Sequence, residues 1–444
     1  MNNPVAADAR DFVATPRVQS TALWLLFLVS LFNYADRNML SVLLPAIKKD
    51  LALSDTELGF INGFAFALFY AVLGIPIARL ADRYSRRNIL TVSLALWSAM
   101  TALCGVAQSF VQLAVARVLV GVGEASASPA SHAIIADLYP ARTRAAALAI
   151  FALGSPFSIL IGFSIGGWVA DTYGWRPALF AFGLPGLILA VALFFWLPDP
   201  PRGFSDRDAP GGPTDHGEWA VPPGQTLWQV LVSLFTTGPF FYVCLCSAFF
   251  HLNWFVQLQW LPSFFTRTHG MPMSEAGLWL ALVLGLPQLV GMYVGGWLGN
   301  RYTDRGFDKL MRLSAWAGLA QAPFFVMAFV FDSWATALAL LVIPIALLFI
   351  QLIQQFAVMQ AVAGPTRRAV AVAAFLLVGQ IVGNMGPQAV GILSDMWAAD
   401  YGVKSLQHAM LWVTVVISPG GALFAWLGAR SIAAARRRSE GASP

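Results

Sequence analysis

Long apolar stretches recur along this chain of 444 residues from one end to the other. Each is roughly 20 residues long, the length that an α-helix needs to cross the hydrocarbon core of a membrane. Inside that core every backbone amide must find a partner within the protein, so only helices and closed barrels can span it. Barrel strands would be short and would alternate in polarity, and that pattern is absent. The sequence therefore predicts an all-α integral membrane protein.

Composition supports this prediction, because 58% of the residues are hydrophobic and only 11% are charged, whereas soluble domains carry about 25% charged residues. Twelve transmembrane helices are expected. The seventh is too long for one simple crossing and is expected to turn at Gly238-Pro239. The predicted spans are 20–47, 55–78, 88–108, 110–136, 145–170, 176–197, 227–265, 275–299, 311–331, 333–362, 369–395 and 405–430.

The distribution of basic residues predicts the orientation. Twenty of the 27 Lys and Arg residues fall in the two tails and the alternate loops that share their side, and five fall in the opposite loops. Cytoplasmic segments carry such an excess. Both termini are therefore expected in the cytoplasm, and sparse lysines with basic loops fit a bacterial inner membrane. The remaining two, Arg37 and Arg117, lie inside predicted spans.

The two halves of the chain repeat each other. A Pro, an Arg and two Gly residues recur after an offset of 225 residues, namely Pro140, Arg142, Gly154 and Gly166 against Pro365, Arg367, Gly379 and Gly391. Parallel repeats of six helices are typical of one transporter architecture, with the substrate site between the halves near the membrane midplane. The expected domains are a tail 1–19, a six-helix bundle 20–197, a polar linker 198–226, a pseudo-symmetric six-helix bundle 227–430 and a tail 431–444.

Four ionisable residues interrupt the apolar spans of the first half: Asp36, Arg37, Arg117 and Glu124. Each costs at least about 2.5–3.5 kcal/mol at bilayer depth, so such residues usually have a function. Arg117 and Glu124 are seven positions apart and share one helix face, about 10 Å apart along the axis. An Asp36–Arg117 ion pair is expected, with Glu124 deeper. Arg37 could contact Glu124, bind an anionic head group, or do both.

Desolvation favours the neutral form of a carboxylic acid, so Asp36 and Glu124 are candidates for proton exchange, with Arg117 as the cation that changes partner. The alternative is a purely structural ion pair. Buried pairs stabilise folds poorly, because desolvation offsets much of the Coulomb gain. Proton coupling through Asp36, Glu124 and Arg117 is therefore the preferred interpretation.

The second half has no carboxylate at the matching place, since Asn253 lies 217 residues after Asp36. It offers amide and aromatic side chains, which suit a substrate with a polar head and an apolar body. No cofactor or metal is expected: Cys244 and Cys246 are two apart on a helix and point in nearly opposite directions. The predicted substrate-binding residues are Asn33, Arg37, Trp254, Gln257, Gln351, Gln355 and Asn384.

The loop after the second span reads Ala78-Arg-Leu-Ala-Asp82-Arg83-Tyr-Ser-Arg-Arg87 and resembles the signature loop of the major facilitator superfamily. It opens with Ala78 where that pattern usually has Gly. The resemblance covers the whole chain and implies alternating access. It also implies that Asp82, Arg83 and Arg87 lock the outward-facing state; a plain basic inner loop is the alternative.

Within that superfamily, the run from Arg117 through Gly121-Val-Gly-Glu124-Ala-Ser to Asp137 resembles the Spinster-like transporters, as does Asn33-Tyr-Ala-Asp36-Arg37. Animal members move sphingosine-1-phosphate and lysophospholipids. The resemblance implies a proton-coupled carrier, not an enzyme, for an amphipathic lipid-like or organic anion.

Proton symporters of small organic anions, such as sugar acids, share a Tyr-x-Asp-Arg and a Gly-x-x-Glu and are the second interpretation. A channel, a scramblase or a sensor lacks support, because no filter-like loop and no soluble sensor domain is present. The expected partners are protons, the substrate and membrane lipids, with no nucleic acid, and the protein is expected to be monomeric.

Overall fold

The computed structural model is built from helices and describes residues 12–65, 69, 84–202, 204–206, 226–364 and 367–441. Within those ranges, eleven helices are long and apolar enough to cross a membrane. Of the predicted second span, only the first part, to residue 65, and residue 69 lie within the described residues. The polytopic helical architecture predicted from the sequence is confirmed.

Most predicted spans are one long helix each, and four are broken. The seventh breaks at Thr237, directly before the Gly238-Pro239 pair that predicted a turn. The helices are Pro16–Leu51, Asp55–Gly59, Arg86–Cys104, Phe110–Glu124, Ala127–Leu138, Ala141–Ala152, Gly154–Tyr173, Trp175–Trp196, Leu227–Thr236, Gly238–Thr268, Met273–Thr303, Phe307–Val330, Trp334–Ala363, Arg368–Gly383, Met385–Met396, Ala398–Tyr401 and Ser405–Gly441, with short 3-10 turns at Phe204–Asp206 and Gly402–Lys404.

The second span starts with a capping box. The Ser54 side chain accepts a hydrogen bond from the Glu57 backbone, and the Glu57 side chain accepts one from the Ser54 backbone, which satisfies two orphan amides at the helix start. The helix then widens into a π-helix over Phe60–Phe64, where the Ala65 amide donates to the Phe60 carbonyl five residues earlier. Such π-turns are rare and are frequent at functional sites.

Three other spans break near their middle. The fourth breaks after Glu124, so that this carboxylate is on the last residue of its helical segment. The fifth breaks at Leu153 and the eleventh at Asn384. Two residues singled out by the sequence, Glu124 and Asn384, thus lie at helix breaks rather than within continuous helices.

The chain forms two compact units, residues 1–40 with 68–216 and residues 41–67 with 217–444. In the first unit, glycines allow close helix contacts: a Cβ at Gly123 would lie 2.8 Å from the Trp97 Cβ atom. In the second unit, a Cβ at Gly291 would lie 2.3 Å from the Ala346 carbonyl oxygen. Small residues at such crossings let helix backbones approach closely, which strengthens the packing between membrane helices.

Candidate functional site

Glu124 forms an ion pair with Arg37 inside the first unit. The Nε and Nη2 atoms of Arg37 each lie 2.6 Å from Oε2 of Glu124. The Glu124 side chain is completely buried, whereas that of Arg37 is 19% exposed. The guanidinium also lies over the Tyr34 ring, 5.6 Å from its centroid. Of the two roles left open for Arg37, contact with Glu124 is therefore the one that the structure shows.

Asp36 lies beside this pair and accepts a hydrogen bond from the Thr101 hydroxyl at 3.1 Å. Arg117 is 1% exposed, and its charge acts on both Asp36 and Glu124. Thr101 was not predicted, because a single threonine in the apolar third span carries no signal. The Thr101 hydroxyl is thus a further partner of Asp36, beside the charge of Arg117, and a direct Asp36–Arg117 ion pair stays a prediction.

Close packing of the fifth span on the first fixes the position of Asp36 and Arg37. A Cβ at Gly162 would lie 3.0 Å from the Ala35 carbonyl oxygen, tighter than most Cβ contacts, so glycine favours this close approach. The Asn38 amide donates to the Ser158 hydroxyl at 2.9 Å, and both side chains are buried. The two charged residues therefore lie on a stretch of helix that is held against its neighbour on both sides.

Several acceptors and donors around the ion pair have no hydrogen-bond partner among the described residues. They are Oε1 of Glu124, Oδ1 of Asp36, Nδ2 of Asn33 and the hydroxyls of Ser126 and Ser131. A buried polar atom without a partner costs about 1–3 kcal/mol. The site can therefore take up a proton, or form hydrogen bonds with water or with a polar head group.

At the end of the first unit nearest the N-terminal tail, Arg86 forms an ion pair with Asp137, the last acidic residue of the fourth span. The Arg87 backbone amide donates to Asp199, and its guanidinium lies over the Phe194 ring. The other two residues predicted to lock this face, Asp82 and Arg83, lie outside the described residues.

In the second unit, the predicted amide residues form hydrogen bonds within the helix bundle. Gln257 donates to Asn253 and to Thr414, at 2.9 and 3.2 Å. Gln355 donates to the Cys246 sulfur at 2.9 Å, and Gln351 donates to the same sulfur at 3.8 Å.

All these glutamines are at most 1% exposed. The structure thus brings them together within the helix bundle, and their carbonyl oxygens have no hydrogen-bond partner among the described residues.

Trp254 and Asn384 are also buried, although slightly more exposed than these glutamines. Trp254 is 8% exposed and packs edge-on against Phe349, with ring centroids 4.8 Å apart. Asn384 donates to the Gln380 carbonyl and accepts from Gln259.

An apolar cavity of about 710 Å³, open on one side, lies along the first and fifth spans at the end nearest the N-terminal tail. Its polar groups, Gln19, Ser20 and Tyr139, belong to the end nearest the N-terminal tail. The Gln19 amide donates to the Leu138 carbonyl, which fixes that end. The apolar wall is formed by Leu23, Trp24, Phe27, Leu31, Ile150, Leu153, Phe157 and Ile161.

Known proteins that resemble this chain are membrane transporters. The family model described as Major Facilitator Superfamily matches residues 26–387. An MFS-type efflux pump of Mycolicibacterium smegmatis is 33% identical, over 96% of this chain and 97% of its own. Protein spinster homolog 1 of Xenopus laevis is 28% identical, over 90% of this chain and 78% of its own. A probable galactarate/D-glucarate transporter of Bacillus subtilis is 27% identical, over 66% and 68%.

Among solved structures, a bacterial homolog of the human lysosomal transporter Spinster, in an inward-facing and unoccupied conformation, superposes with a TM-score of 0.85. It is 27% identical, and the match covers 95% of this chain and 98% of that one. The resemblance to Spinster-like transporters, predicted from the first and fourth spans, is confirmed. The chain is an integral, multi-pass membrane transporter of small molecules and belongs to the Major Facilitator Superfamily.

Proposed function

We propose that this protein is a proton-coupled secondary transporter that moves an amphipathic anion of the lysophospholipid or sphingoid type by alternating access. The observation that carries the proposal is the buried Arg37–Glu124 ion pair with Asp36 and Arg117 beside it. The protein would act as a monomer in a bacterial plasma membrane, with both termini in the cytoplasm.

Charge balance gives this site a coupling mechanism. The charges of two guanidiniums and two ionised carboxylates sum to zero, so these four groups together carry no net charge inside the protein. One added proton leaves a net charge of +1, which is costly in a low-dielectric surrounding. An anionic head group that binds Arg37 or Arg117 restores neutrality. Proton uptake and anion binding would therefore favour each other, and this reciprocity is what coupling requires.

The surroundings support an amphipathic substrate. The 710 Å³ apolar cavity in the first unit is large enough for much of an acyl chain. The second half contributes amides and Trp254 rather than charged anchors. An acyl tail matches the apolar lining of this cavity, whereas a small sugar acid has no apolar part to place there.

Symport of a small organic anion is the second candidate. The galactarate/D-glucarate relative supports it, as do the guanidiniums of Arg37 and Arg117, a group able to bind a carboxylate through two hydrogen bonds. This alternative predicts that small hydrophilic carboxylates compete for transport better than lysolipids.

The test is uptake into proteoliposomes with a panel of lysolipids and sugar acids while the internal pH is recorded. We expect lysolipid uptake accompanied by a proton flux. Glu124→Gln and Asp36→Asn, which mimic the protonated acids, should abolish uptake driven by a pH gradient while substrate binding persists.

Glu275→Gln is the matched control, because it neutralises an exposed acid at the start of the eighth span. It should transport like the wild type. Uptake driven by a pH gradient at the wild-type rate in both Glu124→Gln and Asp36→Asn would show that these carboxylates are structural and that the coupling proposal is wrong.

A further inference from the structure

Asp55, at the outer end of the second span, is the centre of a second buried charge cluster. Arg267 binds it with both terminal nitrogens, Nη1 to Oδ2 at 2.8 Å and Nη2 to Oδ1 at 2.6 Å. Lys48 lies 2.5 Å from Oδ1, and the Ser394 hydroxyl donates to Oδ2 at 2.6 Å. The Asp55 side chain is 3% exposed. This bidentate geometry is the strong form of an ion pair.

A second carboxylate extends the contact to the backbone. Asp395 accepts hydrogen bonds from the amides of Asp55 and Thr56, at 3.0 and 2.7 Å. These amides open the short helix Asp55–Gly59, where an anion is favoured by the helix dipole. The start of the second span is therefore held by an acid of the eleventh span as well as by an arginine of the seventh.

Close backbone packing continues the same contact toward the membrane. A Cβ at Gly391 would lie 2.3 Å from the Asp55 carbonyl oxygen, and one at Gly59 would lie 2.8 Å from the Pro387 carbonyl oxygen. The Gln388 side chain donates to the Thr56 carbonyl at 3.3 Å. The ion pairs and the close backbone packing thus hold the same part of the molecule, the start of the second span.

The position of this cluster explains why residues 41–67 form one compact unit with residues 217–444. The outer ends of the first and second spans contact helices of the second half of the chain. The first helix is 36 residues long, or about 54 Å. Lys48 is near its C-terminal end, so the cluster lies on the membrane side opposite the N-terminal tail.

We propose that Asp55, Arg267 and Asp395 form the outer gate of the transport cycle and that the structure shows this gate closed. Opening the path to the outer side requires separation of the first two spans from the seventh and eleventh, and these ionic contacts must then break. The exposure of Arg267 and Lys48, 16% and 32%, lets water replace the partners that they lose. The inference rests on the proposed alternating-access function.

Gate opening can be measured without substrate, by pulsed electron resonance between spin labels at Lys49 and Met396. Both side chains are exposed and flank the cluster. The wild type should show mainly the short distance. Arg267→Gln removes the bidentate contact, and Gly391→Ala separates the same surfaces sterically with every charge kept. Each should raise the longer-distance population at least twofold.

The controls match the two variants. Gly291→Ala creates an equal 2.3 Å clash with a carbonyl oxygen, but between the eighth and tenth spans. Lys404→Gln removes an exposed ion pair with Asp332 on the same membrane side. Both should keep the wild-type distance distribution, and Arg267→Lys, which keeps the charge, should remain close to it.

Unchanged distributions in both Arg267→Gln and Gly391→Ala would overturn the gate. Two variants are used because Arg267→Gln alters charge and Gly391→Ala alters shape, so the test does not depend on one variant alone. Melting curves on the labelled samples identify a variant that has lost its fold. Label distances respond to the gate even if the transported substrate or the coupling ion differs from the one proposed. A failure of the gate is thereby distinguishable from a failure of the proposed function.

Discussion

The Arg37–Glu124 ion pair allows a double-mutant cycle whose outcome follows from burial. Arg37→Gln removes the cation and leaves a carboxylate that is completely buried. Breaking a buried pair from one side typically costs about 3–5 kcal/mol. Here two effects reduce that cost: Arg117 also acts on Glu124, and the carboxylate can take up a proton.

Proton uptake by Glu124 limits the stability that Arg37→Gln can lose. An ordinary glutamate has a pKa of about 4.3, and each pH unit corresponds to about 1.4 kcal/mol. At pH 7.3, protonating a carboxylate therefore costs about 4 kcal/mol, and at pH 5.8 only about 2 kcal/mol. Because Arg117 compensates in part, we expect Arg37→Gln to lose about 2–3 kcal/mol at pH 7.3 and less as the pH falls.

The assay is thermal unfolding in detergent at both pH values. For a unit of this size, 1 kcal/mol shifts the melting temperature by roughly 2–4 °C. The double variant Arg37→Gln/Glu124→Gln leaves two neutral amides and should melt above Arg37→Gln at pH 7.3, with little difference at pH 5.8. Equal melting temperatures for the single and double variants at pH 7.3, or a gap that grows on acidification, would refute the reasoning.

Three further outcomes are expected. Gly379→Ala would place a Cβ 2.5 Å from the His251 ring, so it should lower stability by about 1–3 kcal/mol in melting curves, whereas Gly296→Ala, with open space around it, should not. Trp254→Ala should weaken binding of long-chain lysolipids more than short-chain ones, measured as affinity against chain length; an equal loss for both would exclude a contact with the tail. Asp82→Lys should shift spin-label distances between the inner loops toward the inward-facing state, and an unchanged distribution would count against an inner lock.

The spans and the charged residues of the site could be read from the sequence, because hydrophobic length and isolated ionisable residues are local signals. The break before Gly238 was also local, since proline and glycine mark such turns. The partner of Glu124 was predicted only as one of two alternatives. Helix register fixes depth within a span, but not which of two adjacent residues, Asp36 or Arg37, points at a neighbour.

The contacts of the outer cluster could not be predicted, because they join residues as far apart in sequence as Asp55 and Asp395. The orientation of Gln351 and Gln355 was equally inaccessible. A helix in a bundle is apolar all round, so no amphipathic stripe tells which face meets the cavity and which meets a neighbouring helix. Their hydrogen bonds to Cys246 became visible only once the packing of the seventh, ninth and tenth spans was known.

The π-helix at Phe60–Phe64 lets the second span hold one residue more than a regular α-helix between the same two ends. An α-helix rotates about 100° per residue, and the π-turn accommodates one residue more than an α-helical turn would. The extra residue is therefore absorbed locally, and Asp55 keeps its contact with Arg267. Deleting one residue inside the π-turn should convert it to an α-helical turn and leave that contact in place, whereas inserting a further residue would turn Asp55 by about 100° about the helix axis, away from Arg267.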